Sequence, residues 1–139
     1  QKVMEVREPI VFVSAPSSPQ AGKRGVQVEE LLGEPFFLTE KDENYRRELD
    51  EFLESRNITL TPYLEISNTE FIINMIKKNR GISYLPYFAV RESVEAGELA
   101  VLDVQDFHLV MYSQIFYHKD KWKTGEMERF IELARMNLG

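Results

Sequence analysis

At 139 residues the chain is near the usual size of one domain, and 43% hydrophobic with 29% charged residues is an ordinary globular composition. A net charge of −6 excludes a strong direct grip on phosphate backbones, which rests on clustered Lys and Arg. With no cysteine, disulfides, thiolate metal sites and cysteine nucleophiles are excluded together, and a reducing compartment fits. No apolar run reaches the roughly 18 residues a membrane-spanning helix needs, and the start shows no signal-peptide pattern. The chain opens on Gln1 rather than Met, so it is expected to be a fragment whose nucleic-acid contacts, if any, are made by another domain.

In chain order, Ile10 to Ser14 is β-branched and aromatic and predicts a buried strand. Ala15 to Gly25, broken by Pro16, Pro19, Gly22 and Gly25, predicts a loop. Val28 to Leu32 predicts one helical turn stopped by Gly33, and Phe36 to Thr39 a short strand after Pro35. Asp42 or Asn44 is expected to cap a helix whose apolar stripe is Tyr45, Leu49, Phe52 and Leu53, ending near Asn57. Tyr63 to Ile66 predicts another strand. Ser67 with Glu70 matches a capping box, and Phe71, Ile72, Met75 and Ile76 give the helix that follows one apolar face. Gly81 is expected to stop that helix in the left-handed conformation. Ile82 to Leu85 is the next strand, closed by Pro86, and completes a βαβ crossover. Tyr87 to Ala96 predicts a helix stopped by Gly97, then Leu99 to Val104 a strand broken by Asp106. Leu109 to His118 is the longest strand candidate, and Thr124 is expected to cap a closing helix with Met127, Phe130, Ile131, Ala134 and Leu138 on one face. This alternation implies an α/β fold with a mainly parallel sheet covered on both faces. The first strand and Leu109–His118 bracket a self-contained middle, so they are expected to belong to a second subdomain.

No catalytic constellation stands out. His108 and His118 are ten positions apart without metal-ligand spacing, and no Gly-x-Ser-x-Gly elbow, Gly-x-Gly-x-x-Gly or Walker loop occurs. The chemical asset that remains is the helix start at Ser67, Asn68 and Thr69, where backbone N–H groups and small polar side chains can seat a carboxylate or other anion. It lies where open α/β sheets bind ligands, at the carboxyl ends of strands. Glu65 and Glu70 flank it and oppose an anion unless they point away.

The order of Pro35-Phe36-Phe37-Leu38-Thr39, Tyr45-Arg46-Arg47-x-Leu49-Asp50, Ser67-Asn68-Thr69-Glu70, Gly81-Ile82-Ser83-Tyr84-Leu85-Pro86, Gly97-Glu98-Leu99 and the strand Tyr112–Lys119 is similar to the effector-binding domain of LysR-type transcriptional regulators. The resemblance implies a type 2 periplasmic-binding-protein-like fold, with one largely complete subdomain, two crossing strands and a C-terminal helix. It places residues 1–24 as a crossing strand and loop from subdomain 1, 25–107 as the effector-binding subdomain 2, and 108–139 as the return strand and helix. It further implies a cytoplasmic bacterial regulator that catalyses nothing, needs no cofactor or metal, and binds a small anionic metabolite. The ligand-binding residues it implies are Ser67, Asn68, Thr69, Thr39 and Ser14. Such a protein is expected to self-assemble as a dimer or tetramer, to touch DNA only through a helix-turn-helix upstream, and to bind no membrane. A fragment of an extracytoplasmic solute-binding protein of the same fold is the alternative. The bracketing strands are also expected to expose pairing edges and promote self-association.

Overall fold

The computed structural model describes residues 2–41 and 43–118, together with helical positions at Gly125, Glu128, Arg129 and Glu132. The expected closing helix with its Thr124 cap, and Asp42 as a cap, lie outside the described residues except for those four positions.

The elements follow as β1 (Lys2–Ser14), a 3-10 turn (Pro19–Gly22), α1 (Val28–Leu31), β2 (Phe36–Leu38) and α2 (Asn44–Glu54). Then come β3 (Leu64–Glu65), α3 (Thr69–Lys77), β4 (Ile82–Pro86), α4 (Tyr87–Glu95), β5 (Ala100–Val101) and β6 (Leu109–Tyr117). They form one sheet in the order β3-β2-β4-β1-β5, with β6 also on β1. The pairs β2–β3 and β2–β4 are parallel, as the alternation of strands and helices requires. The pairs that β1 makes with β4, β5 and β6 are all antiparallel. The sheet is therefore mixed rather than mainly parallel, because β1 enters its centre running against its neighbours.

Side-chain alternation along the strands divides the core in two. Ile10, Phe12, Phe36, Leu38, Ile82 and Tyr84 face α1 and α2, where Leu31, Tyr45, Leu49 and Leu53 meet them. Val13, Phe37 and Leu85 face α3 and α4 and pack on Ile72, Ile76 and Val90. Both faces are thus covered, and the apolar stripes expected for α2 and α3 are the surfaces that do it.

Three helices end in one way. After α2, α3 and α4 the chain takes a left-handed residue at Asn57 (φ 61°), Asn79 (φ 58°) and Gly97 (φ 76°). At α3, Asn79 N donates to Ile76 O and Arg80 N to Met75 O, which satisfies carbonyls that the helix end would otherwise orphan. The left-handed stop of α3 is therefore Asn79, not Gly81. Gly81 serves a close approach instead: a Cβ there would sit 2.2 Å from the Pro35 carbonyl oxygen, because β4 starts against the entry to β2.

Other boundaries also shift. β1 begins at Lys2 rather than Ile10, and its 13 residues make it longer than the 9 of β6. Only Ala100–Val101 of the expected Leu99–Val104 strand pairs with β1; Val104 instead bridges Val26. The cap position of α2 is Glu43, which makes no side-chain capping bond, and Asn44 is the first helical residue. Reciprocity between a cap and a third-position glutamate does occur in the chain, but at α1, where Glu30 accepts from Gln27 N at 2.6 Å.

Candidate functional site

The carboxyl ends of the parallel strands β2, β3 and β4 lie at one edge of the sheet, where the chain turns into α2, α3 and α4. Ile66 N donates to Leu38 O at 3.0 Å, so Thr39 and Ser67, the next residues of each strand, leave the sheet side by side. Thr39, Ser67, Asn68 and Thr69 are thereby brought to one place.

The start of α3 is built differently from the expected capping box. Asn68 is the cap: its Oδ1 accepts from Phe71 N at 3.0 Å, and its carbonyl accepts from Ile72 N at 3.2 Å. Asn68 reaches that N–H because the helix begins one residue later than Ser67 and Glu70 require. Ser67 is exposed just outside the helix, and Thr69, half-buried, is its first residue. Glu70 stays in the first turn and faces solvent.

Beside this start lies a polar cluster built on a buried arginine. Arg46, 1% exposed, donates from Nη1 to the Thr39 carbonyl at 2.7 Å and to Glu65 Oε2 at 3.1 Å, and from Nε to Asp50 Oδ1 at 3.3 Å. Glu65 is therefore turned toward Arg46 and its charge is compensated, which removes one of the two carboxylates that opposed an anion at α3. The Thr39 side chain is also buried, and its Oγ1 has no hydrogen-bond partner; nor has Arg46 Nη2. Burial raises the Tyr45 phenol above its ordinary pKa, and the nearby Thr39 hydroxyl opposes the rise without forming a bond of ordinary geometry. Burial likewise pushes the Tyr84 phenol far up, with Glu48 and Tyr45 adding to it, so both phenols are neutral at physiological pH.

Ser14 stands apart. Because β1 runs antiparallel to β4, with Ile10 opposite Pro86 and Val13 opposite Ser83, its last residue lies at the amino end of the parallel strands. Fully buried there, Ser14 donates its hydroxyl to the Ala15 carbonyl at 3.0 Å. The structure does not bring it to the edge that holds Thr39 and Ser67–Thr69.

What β1 presents at that edge is Glu8, a residue not singled out from the sequence. It is 3% exposed, and its Oε2 accepts from Phe88 N, in the first turn of α4, at 3.0 Å. A carboxylate of the chain itself thus fills the positive end of α4. Of the helices that begin at this edge, α4 is occupied by Glu8, and α3 is covered by the short cap of Asn68. Glu8 could have been found by extending the period of two upstream from Ile10 through Val6 and Met4, which puts residue 8 on the inward face. Arg46 carried a weaker signal, an i, i+4 pairing with Asp50. Among the described residues no group of three or more His, Cys, Asp or Glu is placed to hold a metal, and no helix is long and apolar enough to cross a membrane.

A two-faced α/β unit with polar helix starts gathered at the carboxyl edge of its parallel strands is the architecture of a ligand-binding domain. Residues 5–139 match the LysR substrate binding domain, and the chain belongs to that family. It is 27% identical over 127 residues to the HTH-type transcriptional activator CmpR of Synechocystis, covering 91% of this chain and 42% of that protein. It is 24% identical to the RuBisCO operon transcriptional regulator of Allochromatium vinosum, covering 93% of this chain and 44% of that one. The chain spans less than half the length of these curated relatives. Among solved structures, it resembles the regulatory domain of Synechocystis CcmR in complex with 2-PG, with a TM-score of 0.68 at 20% identity, covering 98% of this chain and 68% of that one. The regulatory domain of MetR from N. meningitidis is similar at a TM-score of 0.64 and 23% identity, covering 96% and 63%. These neighbours are LysR regulatory domains, whose fold is of the type 2 periplasmic-binding-protein kind.

Proposed function

We propose that this chain is the ligand-sensing part of a LysR-type transcriptional regulator and binds a small anionic metabolite at the start of α3. The observation that carries this reading is that Thr39 and Ser67 leave neighbouring strands side by side at the carboxyl edge of the sheet, where α3 starts, with Glu65 drawn into an ion pair with Arg46. Ser67, Thr69 and the backbone of the first turn of α3 supply donors to the anion, with Thr39 at the end of the neighbouring strand. Ser14 has no part in it. The curated relatives named above are transcriptional regulators, which favours this reading over an extracytoplasmic solute-binding protein.

In this reading the chain catalyses nothing and needs no cofactor. The metabolite acts by population shift: it binds one arrangement of the domain more tightly than another and so biases the regulator toward it. DNA is touched by a helix-turn-helix outside this chain, the regulator assembles with copies of itself, and it works in the cytoplasm. In the longer regulator, Ser67→Ala with Thr69→Ala should abolish the response to inducer while operator binding is retained. An unchanged inducer response overturns the site. The chain alone supplies one wall of the cleft, so it should bind weakly; tight binding seen by calorimetry would contradict this.

A further inference from the structure

Glu65 is the last residue of β3 and precedes the start of α3 closely, yet its side chain leaves the sheet on the opposite face. Its register partner in β2 is Leu38, and side chains directly opposite in a sheet share a face. Leu38 lies in the core beneath α1 and α2, whereas Leu64 and Ile66 pack with the residues of α3. Glu65 therefore emerges on the α2 side, where Arg46 Nη1 meets its Oε2 at 3.1 Å. The same Nη1 donates to the Thr39 carbonyl and Nε donates to Asp50, so one guanidinium joins the ends of β2 and β3 to α2. A planar fork of donors suits acceptors spread in this way.

Stability is a poor reason for an arginine at this position. Arg46 is buried and its Nη2 has no hydrogen-bond partner, so part of its desolvation is uncompensated. Apolar side chains of similar size often replace a buried ion pair without loss, and α2 already packs on the sheet through Leu49 and Leu53. Asp50 and Glu65, by contrast, keep about a third of their side chains in water. We propose that Arg46 is a positioning residue for the seat at α3, a role that rests on the reading of α3 as the ligand seat. It touches no ligand. It holds Glu65 on the α2 face and compensates its charge, and without it that carboxylate repels an anion bound at Ser67–Thr69. The α3 seat is thus closed to anions unless α2 supplies its cation.

Titration of the isotope-labelled 139-residue chain with inorganic phosphate, read at the α3 amides, tests this, with the unfolding midpoint of every variant measured alongside. Arg46→Met should weaken phosphate binding by about five-fold, the effect of one uncompensated charge near a protein surface. Adding Glu65→Gln to Arg46→Met should recover most of that loss. Adding Asp50→Asn instead, an equal change of charge placed on α2, should recover less. A merely structural arginine predicts no recovery from either, because removing a second partner of the network repairs no packing. Glu65→Gln alone still offers Arg46 an acceptor and should bind phosphate more tightly than the parent, which tests the role even where Arg46→Met does not fold. A parent whose α3 amides ignore phosphate overturns the seat, and this role with it. The role of Arg46 alone is overturned, with the seat left standing, if the parent binds and any of three results appears: Arg46→Met binds as well as the parent, Glu65→Gln restores binding no better than Asp50→Asn, or Glu65→Gln alone weakens it.

Discussion

The helices α3 and α4 start at the same edge of the same sheet and offer the same positive end, yet a buried carboxylate of the chain fills only that of α4. At α4 the inward face of β1 delivers Glu8 to Phe88 N, and the chain supplies its own anion. At α3 the strand beneath ends in Glu65, but Arg46 draws that carboxylate aside, and the helix is left with the neutral cap of Asn68. A positive helix end is therefore a ligand seat only where the surrounding chain has not already filled it. The two helices also end alike, on a left-handed residue, but with Asn79 at α3 and Gly97 at α4.

Substitutions can break each side of this comparison. The largest effect is expected at Gly81, which lets β4 return from α3 against Pro35: Gly81→Ala drives a Cβ into a backbone oxygen and should cost on the order of 3 kcal/mol in denaturant unfolding. Gly97→Ala at the end of α4 meets open space and only a left-handed backbone, so about 1–2 kcal/mol is expected. Glu8→Ala should cost roughly 2 kcal/mol by leaving the first turn of α4 without its acceptor. It should also make stability newly dependent on added phosphate, because the emptied helix end becomes an anion seat. At α3, Asn68→Ala should cost about 1 kcal/mol and Ser67→Ala under about 0.5 kcal/mol, the reverse of what a Ser67–Glu70 capping box requires.

The smallest effect at neutral pH concerns Tyr84, whose hydroxyl is buried without a partner; Tyr84→Phe should be neutral or slightly stabilising. Its pKa and that of Tyr45 are raised by folding from an ordinary 10.0, so the folded chain holds protons that the unfolded chain releases. Their contribution is whole below pH 10 and falls as pH rises beyond it. Tyr84→Phe should flatten that alkaline decline, measured as unfolding midpoint against pH.

Much of the fold was legible because local chemistry and packing agree. The stripes of Tyr45, Leu49 and Leu53 and of Ile72 and Ile76 predicted helices whose buried faces are those residues. The direction of β1 was not legible, since an apolar run such as Ile-Val-Phe-Val carries no sign of whether its neighbour runs with it or against it. That one unknown decides where Ser14 falls: at the amino end of the parallel strands, away from Thr39 and Ser67–Thr69. The first half of β1 was hidden because Glu5, Arg7 and Pro9 break its composition, although Met4, Val6 and Ile10 keep a period of two. Asn68 rather than Ser67 is the cap because the helix starts one residue late, a shift that the motif alone does not contain.

The claim that the start of α3 is the ligand seat is tested most directly by following the backbone amides of the isotope-labelled chain by NMR during titration with inorganic phosphate. The largest shifts should fall on Ser67 to Phe71 and on Thr39, with Tyr87 and Phe88 still. Shifts that centre on Tyr87 and Phe88 while the α3 amides stay silent would contradict it.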